Sequence, residues 1–262
     1  MRGEETMKER DKKNVASLME SQRQPSDVIN AQFIHPFTCI VAGPTGCGKS
    51  TFVKTFLSKA PELVDKPFDY IFVFLGTDKE DNETLASLQQ TFSGVAHVRI
   101  FEVNKLYADK KGNFSHDLHE ILAQKHLEKE RGCIIFDDLM REMTEHEILM
   151  DLFTKHSSHL DVTVVNITQN AFHHGKRATS NMTLFRNTHV LVLFDSPLDV
   201  SPIRLIASRM GMDVKKMISM VRHVVQQHRY IIIRGDLKTD PRLRFTSDIF
   251  SGKMRAFHLK ED

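Results

Sequence analysis

The chain contains no tryptophan, and only three tyrosines and three cysteines stand among its 262 residues. Without Trp, a stacking-aromatic cluster, a recognition-helix signature or a zinc finger, sequence-specific nucleic-acid binding is disfavoured. Cys39, Cys47 and Cys133 are odd in number and lack paired metal spacing. That argues against a disulfide framework or zinc knuckle and fits reduced thiols in a cytosol or nucleus. Long apolar runs are missing too: the best, at 133–136 and 190–194, fall far short of the roughly 18 residues that cross a bilayer. The expectation is a protein without membrane spans. The head of the chain alternates acids and bases (Glu4, Glu5, Lys8, Glu9) and holds no apolar stretch of the signal-peptide kind, so residence inside a cell or virion is expected. Overall charge is almost balanced, with 36 Lys+Arg against 34 Asp+Glu.

What is present is 40% hydrophobic residues, enough for a real core, which excludes disorder across the whole chain. Residues 1–30 are polar and without a clean period, predicting a tail or a loosely docked helix, and 31–262 reads as a single domain. From Phe37 short β-branched runs, at 38–42, 70–75, 97–101, 133–136, 162–167, 189–194 and 230–233, alternate with helical stretches. The helical signals lie at 50–59, 117–129, 145–156, 202–210 and 213–227. This alternation predicts an α/β fold with a mostly parallel central sheet flanked by helices. One charge asymmetry stands out: 201–257 carries twelve Lys/Arg against four Asp/Glu. A solvated surface or a face for a polyanion would both explain it.

The strongest motif is Gly43-Pro44-Thr45-Gly46-Cys47-Gly48-Lys49-Ser50, a complete G-x-x-x-x-G-K-[ST] between a predicted strand and a predicted helix. Backbone N–H groups must converge on phosphate oxygens, so a side chain on Gly46 or Gly48 would hinder the approach or the backbone angles. The following helix adds its positive dipole end. Gly43 to Thr51 is thus the predicted nucleotide-binding stretch. Lys49 would reach the β- and γ-phosphates of ATP, and the Ser50 hydroxyl would complete a Mg²⁺ shell. Cys47 reads as a tolerated small residue, since no partner base is visible. Further on, Cys133-Ile134-Ile135-Phe136 ends in Asp137-Asp138, the form of a Walker B element. Asp137 is expected to position the metal, and Asp138 to orient and deprotonate the attacking water. The strand at 162–167 ends in Thr168-Gln169-Asn170, where Gln169 is the candidate γ-phosphate sensor. His156, His159, His173 and His174 have no third or fourth ligand at convincing spacing, so no second metal site is expected.

Taken in order, the P-loop strand, the hydrophobic-Asp-Asp strand and Ile167-Thr168-Gln169-Asn170 resemble the FtsK/HerA superfamily of DNA-pumping ATPases. The match is best to its viral genome-packaging branch, that of poxvirus-like large DNA viruses, Maverick/Polinton elements and adintoviruses. Asp137-Asp138-Leu139-Met140, the stretch from Leu152 to His159, the stretch from Asn187 to Phe194 and Arg242-Leu243-Arg244-Phe245-Thr246 carry the resemblance from about Phe37 to Phe250. It implies a RecA-like (ASCE) P-loop ATPase domain and a pentameric or hexameric ring. ATP would bind between subunits, double-stranded DNA would thread the centre, and a capsid or portal protein would be a partner. The host nucleus or a cytoplasmic virus factory, with some protein in virions, would be the setting. A cation from a neighbouring subunit would also be needed. Arg177, Arg186, Arg204, Arg209 and Lys155 are candidates, Arg186 first because it lies just before a strand. The competing classes are a cellular ATPase or helicase of the same superfamily, a P-loop nucleotide kinase, and a non-catalytic assembly factor that binds ATP structurally. A GTPase would need Asn-Lys-x-Asp, and Asn104-Lys105-Leu106-Tyr107 lacks the acid.

Overall fold

The computed structural model describes residues 19–21, 31–75, 98–102, 114–137, 148–169 and 184–259. Two compact units divide the chain: 31–191, and 1–30 together with 192–262. The larger unit contains β2 (Thr38–Ala42), α1 (Lys49–Ser58), α2 (Ala60–Leu63), β3 (Tyr70–Leu75), β4 (Val98–Glu102) and α3 (Phe114–Leu127). It continues with β5 (Gly132–Asp137), α4 (Ile148–Asp151), a π-helical turn (Leu152–His156), α5 (Ser157–His159) and β6 (Val162–Thr168). Strand β7 (Val190–Phe194) runs across the boundary in sequence.

In the larger unit five parallel strands are ordered β2-β6-β5-β3-β4. All residues of β2 and β6 are buried, and β5 is buried up to Phe136. Strands that bury successive side chains have both faces covered, which is why these segments read as continuous apolar runs without alternation. Phe74 stacks on Phe136 at 5.2 Å between centroids. Helix α1 sends Phe52, Val53, Phe56 and Leu57 into the core, and Phe56 meets Phe33 and Phe37 edge-on. The expected strands are all present to within a residue or two at their ends. The helix expected over 145–156 is found from Ile148, but with a π turn at its centre. That turn adds a residue to the hydrogen-bonded ring, a local choice that 3.6-residue periodicity does not signal.

The smaller unit holds α6 (Ser201–Arg209), α7 (Val214–His228) and β8 (Tyr230–Arg234), then a 3₁₀ turn at Pro241–Leu243, β9 (Phe245–Ser247) and β10 (Arg255–Leu259). Asp213 caps α7 by accepting the Lys216 N–H at 2.7 Å, and Arg229 closes it in the left-handed region at φ 69°. β8, β9 and β10 pair antiparallel, and β1 (Met19–Ser21) pairs antiparallel with β10, Met19 opposite Leu259. Within the first thirty residues, where the sequence suggests a tail or a docked helix, Met19–Ser21 form this short strand. Three residues at a sheet edge are held by a partner's backbone, and their own pattern is too short to announce them. No described helix is long and apolar enough to cross a membrane.

Candidate functional site

Parallel strands deliver all their carboxyl ends to one edge, and register decides which residues meet there. Ala42 is opposite Thr168 on β6, and Asp137 at the tip of β5 is opposite Ile167. The loop that starts at Gly43 and the acid at Asp137 therefore stand on the same edge with one strand between them. Two strand spacings separate their strands, roughly 10 Å. This insertion of β6 between the P-loop strand and the acidic strand is the ASCE arrangement. Gly43 is tied to the middle strand as well, its N–H donating to the Thr168 carbonyl at 3.3 Å.

The loop itself is shaped by two glycines, Gly46 at φ 78° and Gly48 at φ 106°. A Cβ on Gly46 would meet nothing within 4 Å. Among the described residues its requirement is therefore the backbone angle and not a close neighbour. The Cys47 N–H donates to the Pro44 carbonyl at 3.3 Å, closing a turn, and the Phe52 N–H donates to Gly48 to start α1. The first N–H groups of a helix have no intrahelical acceptor, and the first turn of α1 carries no acid to neutralise its positive end. Lys49 Nζ donates to the carbonyls of Gly43 at 2.7 Å and Pro44 at 2.9 Å, which holds its charge over the loop. Ser50 is exposed in the first turn. Burial pushes the Cys47 thiol up and the neighbouring Lys49 ammonium pulls the other way, with a net rise. Cys47 is thus a protonated thiol near neutral pH.

Asp137 is half-buried, and Gln169 is exposed immediately after β6. Asp138 and Asn170 lie outside the described residues, as do Arg177, His173 and His174. Arg186 is exposed and sits elsewhere: the His189 N–H three residues on donates to the Thr38 carbonyl at the start of β2. Thr38 and Ala42 are four residues apart along an extended strand, about 13 Å. Arg186 is therefore near the amino edge of the sheet, opposite the loop of its own chain. Lys155 pairs with Asp151 at 2.8 Å, and Arg204 and Arg209 lie on α6 in the smaller unit. Among the described residues no three His, Cys, Asp or Glu side chains gather to hold a metal ion. A cation at this edge would be held by Ser50, Asp137 and ligand phosphates, a donor set that suits Mg²⁺, which keeps few protein ligands. Thr168 was missed by sequence reasoning as a structural part of the site. Its signal was the same polar strand end that singled out Gln169.

A glycine-bent loop capping α1, with an acid on the same edge across one intervening strand, defines a P-loop ATPase. The chain matches the family described as Poxvirus A32 protein over residues 29–249, and it belongs to that family. Membership agrees with the resemblance seen in the motifs and makes it a viral genome-packaging ATPase of the FtsK/HerA type. Among solved structures the chain is similar to the genome packaging NTPase B204 from Sulfolobus turreted icosahedral virus 2 in complex with ATP-gammaS. The identity is 12% and the TM-score 0.46, over 85% of this chain and 96% of that one. A KaiC-like protein from Pyrococcus horikoshii OT3 is similar at 14% identity and TM-score 0.45, over 86% and 90%. The cytoplasmic domain of the Thermomonospora curvata Type VII secretion ATPase EccC gives 11% and 0.47, over 85% of this chain and 25% of that one. Nothing among curated proteins matches the chain.

Proposed function

We propose that this packaging ATPase is a ring-forming motor that hydrolyses ATP to drive double-stranded DNA into a viral capsid, with a capsid or portal protein as its dock. The observation that carries the reading is the register that brings Gly43 and Asp137 to one edge, flanking β6. When bound, Mg²⁺ and ATP supply the scissile phosphoanhydride and a charge-neutralising cation. The chain's own groups do the rest. Loop N–H groups and the amino end of α1 bind phosphate oxygens. Lys49 exchanges two loop carbonyls for more strongly attracting anionic oxygens. Ser50 and Asp137 hold the cation. Asp138 accepts the proton of the attacking water, and Gln169 orients that water from the neighbouring strand. Arg186, exposed and remote from its own loop, suits donation to an adjacent subunit's site. The setting in this reading is an infected cell, in the nucleus or a virus factory.

The test is ATP turnover with and without long duplex DNA, for wild type, Lys49→Ala and Asp138→Asn, with oligomer mass followed in parallel. DNA-stimulated turnover from a species larger than a dimer is expected. Lys49→Ala should lower turnover by a hundredfold or more, roughly the loss that follows removal of one transition-state donor. A monomer whose turnover ignores duplex DNA would favour a kinase or a structural nucleotide binder. Unchanged turnover in Asp138→Asn would remove that residue from its role.

A further inference from the structure

The smaller unit carries a charge surplus that the nucleotide site does not use. Its four carboxylates between residues 201 and 257 are all engaged internally. Asp213 caps α7. Asp236 accepts from the Lys238 and Thr239 N–H groups and from the Thr239 hydroxyl. Asp240 takes the Arg242 guanidinium at 2.8 Å, and Asp248 takes His228 at 2.8 Å and Arg255 at 3.4 Å. Helix α7, VKKMISMVRHVVQQH, has no acid at all. Its buried face is Met217, Met220, Val221, Val224 and Val225. The opposite face is Lys215, Ser219, Arg222 and Gln226, continued by the C-cap Arg229.

At about 100° per residue the four helical positions fall within an arc of about 60°, and Lys215, Arg222 and the C-cap Arg229 follow one another at roughly 10.5 Å along the chain of the helix. Lys215, Arg222, Gln226 and Arg229 are exposed and Ser219 is half-buried. Lys215, Arg222 and Arg229 have no acidic partner among the described residues. Helix stability does not explain the row. Lys215 and Lys216 lie in the first turn, where the helix dipole disfavours cations, and only Arg229 is at the favourable end.

We infer that this face of α7 is a contact surface for the phosphate backbone of duplex DNA. The alternative polyanion, an acidic protein, fits less well. Protein interfaces centre on apolar and aromatic side chains, and the row has none. Lys, Arg, Ser and Gln are the side chains that bind phosphate oxygens, and none of them here needs to read a base edge. A motor that must not stall at particular sequences is served by such a surface. The inference rests on the reading of the chain as a DNA-handling motor, and it adds where on the molecule the strand is held.

The test is the salt dependence of duplex binding by the full chain, with basal ATP turnover measured without DNA. The triple variant carries Lys215→Gln, Arg222→Gln and Arg229→Asn, with Asn chosen because it tolerates the left-handed backbone at that position. Each lost phosphate contact flattens the slope of log affinity against log salt by about 0.9, so the triple variant should lose about 2.7. Basal turnover should hold, since none of the three residues belongs to the nucleotide site. Should the triple variant misfold, Lys215→Gln and Arg222→Gln singly are each expected to flatten the slope by about 0.9. A wild type that binds duplex and variants with its full slope would overturn the surface and leave the motor reading standing. Absence of duplex binding by the wild type at low salt would overturn both. Competition by polyglutamate as effective as by duplex, abolished in the triple variant, would replace DNA by an acidic protein partner.

Discussion

Gly48 shows how one residue's missing side chain sets up the chemistry. At φ 106° it occupies backbone space that a residue with a Cβ reaches only with strain, and it is the N-cap from which α1 points its free N–H groups. Gly48→Ala is expected to weaken ATP binding, measured by titration with a fluorescent analogue, while α1 remains folded. Cys47 next to it is the opposite case. Its thiol is held protonated by burial and its position contributes a backbone N–H, so Cys47→Ala should keep turnover within about twofold of wild type. A larger loss would give the thiol a role that the loop geometry does not. These residues were readable in advance because the motif is local: eight consecutive positions contain all of its chemistry. Asp137 needed one more step, since its value depends on which strand it ends.

At the scale of elements, the strands were legible through their apolar, β-branched composition, and their ends were right to within a residue or two. The π turn in the helix from Ile148 and the short strands β1, β9 and β10 were not. Their hydrogen bonds are with partners distant in sequence, or are offset by one residue from the α pattern. Gly132 is another position that the sequence left silent. A Cβ there would stand 2.3 Å from the ring of Tyr70 on the neighbouring strand, and that ring is itself buried. Gly132→Ala must therefore displace a packed aromatic. Overpacking of this kind costs about 1–3 kcal/mol, which thermal or urea unfolding should show as a lowered midpoint. In the companion Tyr70→Phe, Gly132→Ala most of the loss should remain, since Phe keeps the ring carbons that stand 2.3 and 2.6 Å from the added Cβ.

For the whole molecule, stability is tied to pH through a histidine far from the phosphate edge. His35 is buried, with Nδ1 at 2.9 Å from the Thr163 hydroxyl and Nε2 at 3.1 Å from the Asp161 carbonyl. Burial lowers its pKa, against the opposing pull of Asp161 and Asp65 and with a smaller push from Lys66. The folded state therefore declines a proton that the unfolded chain accepts. The sign follows: this contribution is complete above the unfolded value of about 6.5 and is lost as pH falls below it toward the folded value. Thermal melts between pH 7.5 and 5.5 should show falling stability, with a shallower pH slope in His35→Gln whatever its absolute stability; an equal slope would place the effect elsewhere. By itself the sequence determined the nucleotide loop, the acidic strand end, the α/β class and the family resemblance, because each rests on residues adjacent in the chain or on composition. Only the tertiary structure decided that β6 lies between β2 and β5, that Arg186 is near the far edge from its own loop, and that α7 turns an acid-free row of cations outward. Those are facts of strand order, register and burial, set by contacts between residues tens of positions apart, and no local pattern encodes them.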